Sequence, residues 1–92
     1  MALLDLESVI KSRRDNPTPG SYTASLLSDP ERTQRKIMEE AFELCLELGR
    51  AQVSHERVAE ETADLIYHFM VGLAGVNVEF SEVLAVLEER GK

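Results

Sequence analysis

Two long amphipathic segments limit what this chain can fold into more than any other feature of its sequence. Residues 30–48 and 54–74 each carry apolar side chains at the spacing of one helix face, and a short link joins them. Two long helices with a short connection pack as an antiparallel pair. No segment alternates apolar and polar residues as a strand does, and the sequence therefore predicts an all-α fold.

The ends of both long helices carry recognisable capping residues. Asp29 can cap the first helix, Pro30 suits its first helical position, and Gly49 favours a stop after residue 48. Ser54 can cap the second helix in the same way. Each predicted start therefore rests on local capping chemistry as well as on the apolar pattern.

Three shorter segments flank this pair of helices. They are a helix over 3–14, an irregular or partly helical stretch over 21–27, and a last helix over 80–90. Gly75 and Asn77 are expected to end the second long helix, and Ser81 or a neighbouring residue to cap the last one.

The apolar arcs of both long helices are wider than one partner helix can cover. On the first helix the arc consists of Ile37, Met38, Ala41, Phe42, Leu44, Cys45, Leu46 and Leu48. A wide arc implies burial on more than one side, and Cys45 within it is interpreted as a small core residue. The chain is expected to be one domain over 1–92 whose bundle is completed by a second copy, as a homodimer or higher homo-oligomer.

The charge of the chain narrows the classes of partner. Seventeen Asp and Glu against ten Lys and Arg give a net charge of −7, which argues against non-specific binding to nucleic acid or to an anionic membrane.

The N-terminal MALLDLESVI lacks the basic start of a signal peptide, and no stretch is long and apolar enough for a membrane helix. The expectation is a soluble, cytoplasmic protein.

Two acidic pairs, Glu40 with Glu43 and Glu61 with Asp64, stand at a spacing of three residues on the two long helices. At about 100° per residue the members of each pair share one side of the helix, beside its apolar arc. Like charges so placed repel by roughly a few tenths of a kcal/mol per pair, unless a cation lies among them. Mg²⁺, or Mn²⁺, suits such an oxygen-only site, although a solvated acidic surface is the commoner explanation of the spacing alone.

Other polar residues near these pairs have simple structural explanations. Lys36 and Arg57 are more often salt-bridge partners than substrate ligands, and His68 is more often a residue at the edge of a core than a ligand. Tyr22 and Tyr67 are interpreted as packing residues whose hydroxyl groups meet solvent.

A resemblance carried by these motifs favours a metal site over a solvated acidic surface. KIMEEAFE (36–43) followed by EETADLIYH (60–68) resembles the EExxE…ExxD signature of the all-α nucleotide pyrophosphohydrolases related to MazG. Together with SYTASLL (21–27) and the stretch over 63–90, it resembles the phosphoribosyl-ATP pyrophosphohydrolases of histidine biosynthesis. The resemblance extends over about residues 3–90 and implies a MazG-like helical bundle.

This resemblance also implies a role for individual residues. Those that would bind Mg²⁺ are Glu40, Glu43, Glu61 and Asp64, and those that would form the substrate pocket are Ser21, Tyr22 and Thr23. Glu39 would join the metal site or orient a water molecule, and Lys36 would contact phosphate. His68 matches the YH dipeptide of the family, but no role follows for it.

The reaction implied is the Mg²⁺-dependent hydrolysis of 1-(5-phosphoribosyl)-ATP to 1-(5-phosphoribosyl)-AMP and pyrophosphate, an early step of histidine biosynthesis. Two alternatives remain. One is a MazG-like enzyme that removes ordinary or damaged nucleoside triphosphates, against which the SYT segment and the C-terminal helix argue. The other is a non-catalytic helical dimerisation module whose acidic residues are only a solvated surface.

Overall fold

The computed structural model describes residues 3–91, and every element of regular structure in that range is a helix. The helices are α1 (Leu3–Asp15), α2 (Tyr22–Leu27), α3 (Pro30–Leu48), α4 (His55–Gly75) and α5 (Phe80–Glu89). The predicted all-α fold is therefore confirmed. The predicted domain over 1–92 also includes Met1, Ala2 and Lys92, which lie outside the described residues.

Helices α3 and α4 form the expected antiparallel pair. Late in α4, Gly72 lies against Ile37 early in α3, and a Cβ atom at Gly72 would come within 3.2 Å of the Ile37 Cδ1. Early in α4, Arg57 lies 3.9 Å from Glu47 near the end of α3. The close approach at Gly72 and the ion pair at Arg57 set the register that brings the two acidic segments together.

The predicted caps of this pair are present. The Asp29 carboxylate accepts a hydrogen bond from the backbone N–H of Arg32, and Pro30 is the first residue of α3. The Ser54 hydroxyl accepts one from the N–H of Arg57. Because these signals are local, the sequence placed both helix starts correctly.

The structure refines the predictions for the flanking elements. The stretch over 21–27 contains a regular short helix, α2, capped by the Ser21 hydroxyl. Gly75 is the last residue of α4, Val76 is its C-cap, and Asn77 follows with a left-handed φ of 60°. The cap of α5 is Glu79 and not Ser81, because Glu79 and Glu82 bond to each other's backbone in a capping box.

The core lies at one end of the molecule. Its buried side chains come from α1, α2, the second half of α4 and the start of α5, and they are Ile10, Leu26, Met70, Val71, Ala74 and Phe80. The acidic residues of α4 lie in its first half, outside this core, where Arg57 and Glu61 face α3.

Much of the apolar arc of α3 is not covered by the rest of the chain. Met38 and Phe42 are 66% and 64% exposed, and Leu46 and Leu48 are exposed as well. Cys45 is also exposed, so its interpretation as a core residue is wrong for the single chain. The reason is that α4 contacts only one side of an arc that extends around α3.

No single helix within residues 3–91 is long and apolar enough to cross a membrane. Only α4 and α5 taken together pass by length and composition, and they are bent by 107° at the break between them.

Candidate active site

Three carboxylates meet where α3 faces the first half of α4. Glu40, Glu43 and Glu61 each offer one carboxylate oxygen, and these oxygens lie within 4.8 Å of one another. Glu40 and Glu61 are buried, with 6% and 7% of their surface exposed, and Glu43 is exposed. The antiparallel register of the two helices thus joins residues from both acidic motifs in one cluster.

In each of the two buried carboxylates of the cluster, Glu40 and Glu61, one oxygen lies near a basic side chain. Lys36 Nζ lies 3.5 Å from Glu40 Oε1, and Arg57 Nη2 lies 3.2 Å from Glu61 Oε1. The second oxygen of each group, Oε2, is buried and has no hydrogen-bond partner within residues 3–91. A buried carboxylate oxygen without a partner is costly, so two of them in one cluster fit a site that binds a cation.

The pKa shifts of the two buried carboxyl groups agree with a cation-binding site. Burial raises the pKa of Glu40, and the neighbouring charge of Glu43 raises that pKa further. Burial also raises the pKa of Glu61, again with Glu43 as the next cause. Each of these carboxyl groups is therefore harder to ionise than an ordinary Glu, and a bound cation would favour its charged form.

Asp64 and Glu39 lie beside the compact cluster and not within it. Asp64 is exposed, but it is close enough for its charge to raise the pKa of both Glu40 and Glu61. Glu39 is exposed and its carboxylate lies 3.2 Å from Lys36 Nζ. The roles predicted for these two acids remain predictions.

Two side chains of the SYT segment form hydrogen bonds to side chains of α4. The Tyr22 hydroxyl lies 2.9 Å from Nε2 of His68, and the Thr23 hydroxyl bonds to the hydroxyl of Tyr67. The rings of Tyr22 and Tyr67 stack, with 17° between their planes. The three predicted pocket residues therefore lie together at the start of α2, against the YH dipeptide one turn beyond Asp64 in α4.

Two basic residues of α3 extend this face from the carboxylates toward α2. The Arg32 guanidinium lies 5.4 Å from the centre of the Tyr22 ring, and Lys36 is near enough to Tyr22 for the two to interact electrostatically. Arg32 was not among the predicted site residues, although its position one turn before Lys36 on the same helix face was a usable signal.

The comparisons with known proteins agree with this arrangement. The sequence model of the family described as phosphoribosyl-ATP pyrophosphohydrolase matches residues 3–91. This chain belongs to the phosphoribosyl-ATP pyrophosphohydrolase family. The resemblance seen in the motifs is thereby confirmed, and so is the prediction that the chain is a hydrolase.

Relatives of the family include both separate and bifunctional proteins. A phosphoribosyl-ATP pyrophosphatase of Ruegeria sp. is 44% identical over 92 residues, which cover 98% of this chain and 86% of that protein. One of Cereibacter sphaeroides is 40% identical over 86 residues, covering 92% and 82%. The histidine biosynthesis bifunctional protein HisIE of Pyrococcus furiosus is 37% identical over 91 residues, covering 98% of this chain and 41% of that protein.

Proposed function

We propose that this chain hydrolyses 1-(5-phosphoribosyl)-ATP to 1-(5-phosphoribosyl)-AMP and pyrophosphate in a Mg²⁺-dependent reaction of histidine biosynthesis. The names of its relatives support the substrate and the pathway. The observation that carries the chemistry is the pair of buried, unpartnered carboxylate oxygens on Glu40 and Glu61. A site built only to be a solvated surface has no need to bury them.

The donor set fits a hard divalent cation. Glu40, Glu43 and Glu61 supply only oxygen atoms from a compact cluster, and Asp64 stands beside it. Mg²⁺, with Mn²⁺ as an alternative, prefers carboxylate oxygens and retains positions for water and phosphate. Bound there, the ion would neutralise the charge of the triphosphate and polarise its phosphorus–oxygen bonds.

The remaining residues bind and orient the substrate in this proposal. Lys36 lies at the border between the carboxylates and Tyr22, where its ammonium group can contact a phosphate oxygen. Glu39 is exposed next to Lys36 and can orient a water molecule toward the phosphate chain. Ser21, Tyr22 and Thr23 form the adjoining wall of the pocket.

Competition between substrates tests this proposal against the MazG-like alternative. Phosphoribosyl-ATP, dUTP and dCTP are each incubated with the protein and Mg²⁺, and the nucleotide products are separated by chromatography. We expect phosphoribosyl-AMP and pyrophosphate to form with a kcat/KM that exceeds those for both simple triphosphates. A preference for dUTP or dCTP would instead identify an enzyme that removes nucleoside triphosphates.

We also propose that the active form is a homodimer. The support is the exposed part of the α3 arc, where Met38, Phe42 and Leu46 recur at helical spacing and are left exposed by the described part of the chain. A contiguous apolar surface of this kind is usual at an interface between protein subunits. A second copy that packed against α3 would bury this surface.

A further inference from the structure

His68 is buried and carries two hydrogen bonds, although the proposed chemistry gives it no task. Only 6% of its surface is exposed. Its Nδ1 lies 2.7 Å from the backbone carbonyl oxygen of Asp64, and its Nε2 lies 2.9 Å from the hydroxyl of Tyr22. The side chain therefore joins the turn of α4 that carries Asp64 to the start of α2.

The partners of the ring determine which nitrogen carries the proton. A backbone carbonyl oxygen can only accept a hydrogen bond, so Nδ1 donates to Asp64. In the neutral ring Nε2 is then an acceptor, and the Tyr22 hydroxyl donates to it. The orientation of the Tyr22 hydroxyl is thus fixed by a ring that is itself fixed to the backbone of α4.

Tyr22 in turn faces the groups expected to meet the substrate. It is 43% exposed, Arg32 lies over its ring, and Lys36 is its electrostatic neighbour. The ammonium group of Lys36 also lies 3.5 Å from Glu40 of the carboxylate cluster. Tyr22 thus connects His68 of α4 with the basic residues of α3 that lie beside the acidic cluster.

We propose that His68 is a positioning residue that holds Tyr22 of the substrate pocket at a fixed place relative to the carboxylate cluster. This inference rests on the proposed function. It predicts that loss of the His68–Tyr22 hydrogen bond weakens substrate binding without removing any group that carries out the hydrolysis. The effect should appear in KM, and the Mg²⁺ concentration that gives half-maximal activity should stay unchanged.

The test compares His68→Leu, Tyr22→Phe and the double variant in phosphoribosyl-ATP hydrolysis. A net hydrogen bond of about 0.5–1.5 kcal/mol corresponds to a rise in KM of roughly 2- to 13-fold. We expect a rise in that range for each single variant, and no further rise in the double variant because both changes remove the same bond. His68→Gln should recover much of the loss, since its amide oxygen can accept from the Tyr22 hydroxyl.

Thr33→Val is the matched control. The Thr33 hydroxyl also makes a buried hydrogen bond, 2.8 Å from the Leu26 carbonyl oxygen, so this variant should lower the melting temperature but leave KM unchanged. Additive effects of the two single variants, or an unchanged KM in His68→Leu, would overturn the positioning role while the hydrolase activity stands. A wild-type protein inactive on phosphoribosyl-ATP would overturn both proposals.

Discussion

At the scale of single residues, Glu40 and Glu61 show a conflict between stability and function. Each keeps one oxygen paired to a cation and buries the other without a partner. Such an arrangement destabilises the protein alone and suits it for binding a cation. The sequence could indicate that these acids share helix faces, but not that one oxygen of each is buried and unpaired, because that depends on how closely α3 and α4 approach.

Removing one of these charges should stabilise the metal-free protein. Without metal, Glu40→Gln should raise the free energy of unfolding by at least roughly the few tenths of a kcal/mol that a like-charge pair costs on a helix. Wild-type protein with Mg²⁺ at ten times its Kd should gain about 1.4 kcal/mol, or about 6–11 °C in Tm for a domain of this size. The variant should lose most of that gain in thermal unfolding monitored by circular dichroism.

The destabilisation caused by the buried charge of Glu40 should depend on pH. Because the pKa of Glu40 is raised above its ordinary value of 4.5, its contribution to stability is present below that value and is lost as pH rises through the raised pKa. In EDTA the stability advantage of Glu40→Gln over wild type should thus be larger at pH 7.5 than at pH 5. Glu88→Gln, on the exposed surface of α5, is the control, and an advantage independent of pH would contradict the assignment.

At the scale of helices, local chemistry explains what the sequence predicted and what it did not. The starts of α3 and α4 follow from Asp29, Pro30 and Ser54, whose effects act within one turn. The start of α5 was harder to predict because Glu79 caps it through a reciprocal bond with Glu82. The network between Tyr22 and His68 was beyond reach, since it joins residues far apart in sequence.

The Ser54 cap of α4 should contribute to the stability of the protein. Ser54→Ala removes the hydroxyl that accepts from the Arg57 N–H and should lower the free energy of unfolding by about 1 kcal/mol. Ser54→Asp keeps an acceptor and should retain most of the stability. Urea denaturation measures both variants, and equal losses in the two would show that the cap is not the cause.

At the scale of the whole molecule, the core is small and most of the α3 arc is exposed. The sequence indicated a surplus of apolar surface on this helix, and the single chain does leave it uncovered. A contact with a second copy is a property of two molecules, and neither the sequence nor a single folded chain contains it. The homodimer therefore remains a proposal that solution measurements can decide.

Assembly should respond to a charge placed on that surface. Phe42→Glu introduces a carboxylate in the middle of the exposed arc and should convert a dimer to a monomer in sedimentation velocity at micromolar concentration. Glu31→Gln, in the first turn of the same helix, should leave the dimer intact. A wild-type protein that sediments as a monomer under these conditions would contradict the proposed assembly.

The central claim is that the carboxylate cluster between α3 and α4 supports Mg²⁺-dependent hydrolysis of phosphoribosyl-ATP. Pyrophosphate release from this substrate tests it most directly, measured for wild type with Mg²⁺, wild type with EDTA, and folded Glu61→Gln with Mg²⁺. We expect release only in the first case, with a loss of at least roughly 100-fold in the variant, as for removal of a group that stabilises transition-state charge. Undiminished release by Glu61→Gln, or by wild type in EDTA, would contradict the claim.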